Sequence, residues 1–259
     1  MTDAVVRDGR VLRCRIARGR HGTLDGDALV EVPAVLAGID AADIGAVLLT
    51  SEHDPAHPSN FCTGGDVRAF AGAADRGAYV RSLAEVFHGL IRALVSCPVP
   101  VVAGVPGWAA GAGMSIVCAT DLAVGGRSTK LRPAYPGIGF SPDGGMSWML
   151  PRIVGAGRAR EILLTDRVLD AEEAYACGIL TAVVDDAEVL AEAEHTAHRL
   201  AQGPTLALGR IKRLLAAAPQ ATLDAHLEAE AVAISESAAG AEGAEGLAAF
   251  GEKRPPAFH

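Results

Sequence analysis

The stretch Val101–Asp121 reads VVAGVPGWAAGAGMSIVCATD, an apolar run that meets a cluster of small residues and then becomes helix-like. Val101, Val102 and Val105 predict a short buried strand, Pro106-Gly107 a turn, and Ala109–Gly113 a loop opening a helix over Met114–Ala119. The helix starts among Gly111–Gly113. The first NH groups of a helix lack internal partners and lie at the positive end of its dipole, so they can hold an anionic oxygen that small residues allow to approach. The same pattern also suits a strand-turn-helix packed in a core, with Gly and Ala serving only close contact. A membrane span fits poorly: no charge occurs from Ala93 to Thr120, but Pro98, Pro100, Pro106 and four glycines interrupt the run and would leave backbone groups unpaired in lipid.

Working outward, 259 residues suffice for one large domain or a core with an appendage. Half the residues are hydrophobic but only 4% are aromatic, and there are 30 glycines, so the core is built from Ala, Val, Leu and Ile between many turns. That composition suits an α/β enzyme. A net charge of -8 without a Lys/Arg cluster argues against a nucleic-acid surface. Five widely spaced cysteines with no C-x-x-C pair argue against a disulfide framework and a zinc site. The charged start MTDAVVRDGR has no apolar core of a signal peptide. A cytoplasmic protein without a membrane anchor is expected.

Along the chain, Ala4–Val6 and Val11–Ala17 predict a hairpin about Asp8-Gly9. Asp27–Ile39 predicts a helix, Ala46–Thr50 a strand, and Tyr79–Leu94 an amphipathic helix with Val80, Leu83, Val86, Phe87, Leu90, Ile91 and Leu94 on one face and His88 partly exposed. His53 and His57 lie in a proline-containing loop unsuited to a metal. Asn60–Val67 is a second apolar entry into a glycine turn. Leu122–Val124 predicts a strand, Gly125–Lys130 a polar loop, and Arg132–Gly145 an irregular Pro/Gly-rich segment of the kind that often carries function. It leads into Met146–Leu150. Short helices are expected over Arg158–Leu164 and Ala171–Ala176, and a strand over Thr181–Val184. From Ala187 onward the sequence becomes alanine-rich and helical, over Ala187–Gln202, Thr205–Ala217 and Leu223–Ala233. The expected division is residues 1–186 as a ligand-binding core and residues 187–259 as a helical oligomerisation region. His195 and His198 on the first of these helices fit a solvated face better than a metal site.

Phe61-Cys62-Thr63-Gly64-Gly65-Asp66, Gly107-Trp108-Ala109-Ala110-Gly111-Ala112-Gly113 and Asp121 together resemble the enoyl-CoA hydratase/isomerase (crotonase) superfamily. Pro142-Asp143-Gly144-Gly145, Leu150-Pro151-Arg152, Glu173-Ala174 with Gly178, and the ending Glu245–Phe250 with Lys253-Arg254-Pro255 extend the resemblance over nearly the whole chain. It implies an α/β spiral of ββα units with a C-terminal helical region, a homotrimer or dimer of trimers, and a coenzyme A thioester as substrate with no cofactor. One backbone NH from each glycine turn is implied to hold the thioester oxygen, and the matching residues are Thr63 and Ala112. Cys62, Gly64, Gly65, Asp66, Gly111 and Phe140 are expected around the substrate. Phe250 and Lys253 resemble residues that approach the coenzyme A nucleotide.

The departures matter as much as the match. Hydratases of the family place two glutamates three and about twenty-three residues beyond the second oxyanion position, where this chain has Ser115 and Tyr135. Neither is ionised near neutral pH without help, so the carboxylate pair that activates water is missing. One carboxylate remains, Asp143, where several isomerases of the family carry an acid/base aspartate. It is a candidate base or, equally concretely, an N-cap for the helix that follows. Tyr135 is placed to donate to an enolate or to line the pocket, and Ser115 to bond substrate or the preceding helical turn. Asp66 and Asp121 suit turn geometry or capping. The first reading is an acyl-CoA isomerase using Asp143. The alternatives are a hydratase or another lyase such as a decarboxylase, and a catalytically silent acyl-CoA-binding protein.

Overall fold

The structure, a computed structural model, describes residues 4–52, 59–65, 70 and 72–259. Its plan follows from a repeated ββα unit in which the first strand joins a large sheet and the second joins a small ladder. β1 (Val5–Asp8) and β2 (Val11–Arg18) form the expected hairpin; β3 (Thr23–Leu24), α1 (Ala28–Ala37), β4 (Ala46–Ser51) and α2 (Arg76–Ser96) follow. β5 (Val101–Val105), β6 (Trp108–Ala110) and α3 (Ala112–Ala119) form one complete unit, and β7 (Leu122–Gly126), β8 (Lys130–Arg132) and α4 (Met146–Val154) form the next. After them come α5 (Ala156–Leu164), β9 (Leu169–Asp170), α6 (Ala171–Ala176) and β10 (Ala182–Val184). Four helices end the chain: α7 (Val189–Ala201), α8 (Thr205–Ala217), α9 (Leu223–Ala239) and α10 (Ala241–Glu252).

In the large sheet the order is β1-β2-β4-β5-β7-β10, with β3 also on β2. From β2 to β10 the pairs are parallel. Such strands must be covered on both faces, and the sequence supplies apolar residues at consecutive positions for this purpose. All six residues of β4 are buried. Ala46 and Leu48, with Val102 and Val124, pack against Ala193, Ala197 and Ala201 of α7. The alternate residues Val47, Leu49, Val101 and Ala103 face the main core, as the two-residue period of a strand requires. Small residues on α7 let that helix lie close to the sheet.

The small ladder runs β6-β8-β9. Two single bridges extend it: Cys62 pairs with Ala109, and Gly64 pairs with Thr23. Thus the segment after β4 supplies a rudimentary second strand, and the second glycine turn falls where β6 hands over to α3.

Some expectations needed correction. Ala109 and Ala110 are strand rather than loop because their backbone pairs with β8. β7 runs on to Gly126, and Lys130 already belongs to β8. α4 continues through Pro151 to Val154, and α9 to Ala239. α10 was not anticipated, because Gly243, Gly246 and Gly251 weaken its helical pattern. On α2, Phe87, Leu90, Ile91 and Leu94 are buried, whereas Val86 is exposed. The five cysteines are free and buried. Among the described residues no group of His, Cys, Asp or Glu is arranged to hold a metal, and no helix is long and apolar enough to cross a membrane. His198 meets Asp8 at 3.1 Å instead. His53, His57 and Asp66 lie outside the described residues.

Candidate active site

The two glycine turns meet through their backbones. Cys62 donates its NH to Trp108 O at 3.2 Å and accepts from Ala110 NH at 2.8 Å. A Cβ on Gly113 would stand 2.0 Å from the Cys62 carbonyl oxygen, so only glycine lets the first turn of α3 approach this closely. A Cβ on Gly64 would lie 3.8 Å from the Ala112 nitrogen. Gly111 reverses the chain at φ 56°, a conformation that favours glycine. Its NH donates to Arg132 O at 3.1 Å and its carbonyl accepts from Ser115 NH at 3.1 Å. Ala112 then opens α3, and its NH meets no acceptor among the described residues.

Thr63 does not behave as the sequence led us to expect. Its NH donates to Gly22 O at 2.8 Å and its hydroxyl to His21 O at 2.8 Å. A donor spent on the ladder cannot also face a substrate oxygen. Two residues later the Gly65 NH has no acceptor among the described residues, and it replaces Thr63 as the candidate donor from this turn. Cys62 also moves out of the substrate surroundings: it is wholly buried, and burial pushes its thiol up to about 12.

Ser115, Tyr135 and Asp143 come together at the α3 end of the site. Ser115 is wholly buried, and its hydroxyl donates to Asp143 O at 3.1 Å and lies 3.4 Å from both Gly111 O and the Tyr135 hydroxyl. Tyr135 donates to Asp143 Oδ1 at 2.7 Å. Burial, reinforced by the adjacent Asp143 charge, raises the Tyr135 pKa well above the tyrosine range, so the phenol keeps its proton. Asp143 does not cap α4. The N-cap is Gly145, in a left-handed conformation with no side-chain bond, and Asp143 contributes only its carbonyl, to Met146 NH at 3.2 Å. Gly144, between them, has φ 59°, and a Cβ there would stand 2.3 Å from Phe87 and 2.9 Å from the Ser115 Cβ.

His88 was missed as a site residue. It is half-buried on α2, and its Nε2 accepts from Gly144 NH at 3.3 Å, one residue from Asp143. The helical spacing that places Phe87 and Ile91 inward carried the signal. Phe140 stacks on Phe70 at 6.4 Å between centroids, and Phe70 meets Tyr79 edge-on at 6.3 Å. Phe70 also lies 3.4 Å from where a Gly65 Cβ would be, so an aromatic wall adjoins the first turn. Phe250 and Lys253 belong to the end of α10. Phe250 is largely exposed, and neither residue bonds to the Ser115–Tyr135–Asp143 group. Asp121 is structural: its Oδ2 accepts from Val101 NH and pairs with Lys212, both at 2.7 Å.

With this geometry, comparison with known proteins is informative. The enoyl-CoA hydratase/isomerase family matches residues 8–259. The 1,2-epoxyphenylacetyl-CoA isomerase of Escherichia coli (strain K12) is 36% identical over 203 residues, 76% of each chain. The 4-chlorobenzoyl coenzyme A dehalogenase-1 of an Arthrobacter species is 32% identical over 237 residues, 90% of this chain and 84% of the relative. Among solved structures, an enoyl-CoA hydratase from Polaromonas sp. JS666 superposes with a TM-score of 0.89 at 29% identity, over 97% of each chain.

Proposed function

Since the chain belongs to the enoyl-CoA hydratase/isomerase family and is thereby an acyl-CoA-processing enzyme, we propose that its reaction is an isomerase-type proton transfer through a thioester enolate. The observation that carries this reading is Asp143, a carboxylate fixed by Tyr135 and adjoining Ser115, where a water-activating pair of carboxylates is replaced by two hydroxyls. In the proposal the Gly65 and Ala112 NH groups bond the thioester oxygen. Asp143 accepts a proton from carbon, and the electron pair left behind passes into the enolate held by those donors. The protonated Asp143 then returns the proton to another carbon of the extended enolate, so that one double bond moves and no atom is gained or lost. Tyr135, which keeps its proton, orients the carboxylate. Each oxyanion donor contributes about 2.7 to 4 kcal/mol to lowering the barrier. The resident chemistry needs no cofactor.

Incubation with a panel of acyl-CoAs in heavy water, followed by mass spectrometry, tests this reading. Deuterium uptake without added water mass supports the isomerase, and a water adduct overturns it in favour of a hydratase. Neither outcome for any member of the panel, with no halide released from a haloaroyl-CoA, favours an acyl-CoA-binding role.

A second reading is favoured by His88, bonded to the backbone one residue past Asp143, and by the resemblance to the dehalogenase. Here the Asp143 carboxylate attacks an electron-poor aryl carbon and expels halide. Water, giving its proton to His88 Nε2 once that nitrogen leaves the Gly144 NH, then cleaves the aryl ester at its carbonyl carbon and releases the Asp143 carboxylate and a hydroxyaroyl-CoA. Halide release with exchange of halogen for hydroxyl in a haloaryl-CoA separates this reading from proton transfer. We propose the assembly to be a homotrimer or dimer of trimers formed through residues 187–259.

A further inference from the structure

Ala134 and Asp166 both have left-handed backbones, at φ 61° and 52°, although neither is glycine, and the side chain of one holds the backbone of the other. Asp166 Oδ1 accepts from Ala134 NH at 2.8 Å. Its other oxygen accepts from Arg132 Nε at 3.1 Å and Nη2 at 2.6 Å. The Asp166 side chain is only 12% exposed. A Cβ on Gly137 would lie 3.4 Å from the same Oδ2, so the carboxylate sits under the turn that follows Tyr135. On the other side, Arg132 O accepts from Gly111 NH at 3.1 Å. The segment 132–134 is thus braced between the second glycine turn and Asp166. An L residue adopts the left-handed region at a cost, so the backbone of Ala134 needs a partner to stay there. The residue it delivers is Tyr135.

We infer that Asp166 is a positioning residue: its carboxylate holds residues 132–134 on the course that sets the Tyr135 hydroxyl on Asp143. It touches neither Asp143 nor Ser115 and acts through the backbone of Ala134. Only the kinetic arm of its test rests on the isomerase reading above.

Two substitutions separate positioning from folding. Asp166→Gly removes the carboxylate but suits the left-handed backbone at that position. Asp166→Asn keeps the volume, but an amide presents one acceptor oxygen and an NH2 group, so it cannot satisfy both Ala134 NH and the Arg132 guanidinium. The readout is phenolate absorbance in a Tyr79→Phe, Tyr175→Phe background, which leaves Tyr135 as the one tyrosine of the three. Its surroundings, Asp143 and Ser115, with His88 one bond further away, are unchanged by these substitutions. In the background protein burial and the Asp143 charge are expected to hold the Tyr135 midpoint above the ordinary tyrosine range. In both Asp166 variants its midpoint is expected to fall by at least one pH unit toward the ordinary value of about 10. With an acyl-CoA that exchanges protons, kcat is expected to fall about tenfold while KM stays within about threefold. Folded variants with the background midpoint overturn the inference. Loss of folding in both variants overturns it too, because a residue on which the whole fold depends is not acting on Tyr135 in particular. If the parent exchanges no proton with any acyl-CoA, the isomerase reading fails, and the titration still decides the role of Asp166.

Discussion

The Tyr135 hydroxyl lies 2.7 Å from Asp143 Oδ1 and 3.4 Å from Ser115 Oγ, which makes the tyrosine the link between these two candidate site residues. Tyr135→Phe keeps the ring but removes the donor. Proton exchange is expected to fall about tenfold or more, with stability at neutral pH lower by about 1 kcal/mol for the lost hydrogen bond.

The same variant carries a pH signature. Because the folded-state pKa of Tyr135 is raised by burial and the Asp143 charge, the unfolded chain loses that proton first, near pH 10, while the native state retains it. Stability from this group is therefore complete below about pH 10 and declines above it, by up to about 1.4 kcal/mol per pH unit. Cys14, Cys62 and Cys118, pushed up to about 12 by burial, contribute a similar decline. The contribution of Tyr135 is thus the difference between parent and variant. Denaturant titrations at pH 9 to 11 should show a shallower alkaline loss in Tyr135→Phe, and equal slopes would count against the buried, hydrogen-bonded phenol.

Asp143→Asn tests the proposed base directly. With the N-cap role removed by the geometry of Gly145, no helix-capping loss is expected. The amide still accepts from Tyr135 but cannot take up a proton. Exchange should drop by at least about 10²-fold with acyl-CoA affinity nearly unchanged. Parental turnover would leave proton transfer to Tyr135 or to a water held by Ser115.

Much of this was legible in the sequence, for identifiable reasons. The hairpin, β4, β5 and α6–α8 announce themselves by periodicity, and the two glycine turns by the small residues a close backbone approach demands. Thr63 was misplaced because nothing in Phe61–Asp66 tells which NH the ladder will consume. That depends on Gly22, some forty residues away, reaching across to pair. His88 was hidden for a similar reason: a histidine on an amphipathic helix looks solvated until the chain of Gly144 arrives beside it. Asp143 was ambiguous between base and cap because an aspartate before a helix suits both. Gly145 settles the cap by taking the left-handed position itself.

Lys212, on α8, is largely covered, its side chain 9% exposed. Its Nζ meets Asp121 at 2.7 Å, Leu94 O at 2.9 Å and Val99 O at 3.4 Å, joining a C-terminal helix to the start of β5. Lys212→Met should destabilise the protein by about 2 to 3 kcal/mol, below the range for a fully buried pair because Asp121 keeps contact with water. Adding Asp121→Asn should recover part of that loss, a coupling that a double-mutant cycle in denaturant measures.

No residue of α9 is buried, and Leu215, Leu223, Ile234, Leu247 and Phe250 stand exposed on α8–α10. Helices apolar on more than one face need partners. Light scattering at micromolar concentration is expected to give three or six chain masses, and Leu215→Glu with Ile234→Glu should shift the particle toward monomer. A monodisperse parental monomer would refute the assembly.

The approach of Gly113 to Cys62 allows the sharpest test of how the fold builds the site. A methyl group on Gly113 would meet the Cys62 carbonyl oxygen at 2.0 Å, its carbon at 2.8 Å and its Cβ at 2.9 Å. Two of these are backbone atoms that cannot rotate away. Gly113→Ala must therefore push the start of α3 off the Cys62–Gly65 segment, at a cost of about 3 kcal/mol, the upper end of ordinary overpacking. Because Ala112 precedes Gly113 and Gly65 follows Cys62, the same shift separates the two candidate oxyanion donors. Activity should fall further than stability alone explains, by roughly the 10² to 10³ of a lost donor. Gly89→Ala supplies the control. That glycine lies within α2 with no atom inside 4 Å of its added methyl and no left-handed φ, so alanine there should raise stability by about 0.5 to 1 kcal/mol. If Gly113→Ala melts with the parent and keeps its activity, the close packing of the two turns is not what positions the Gly65 and Ala112 donors.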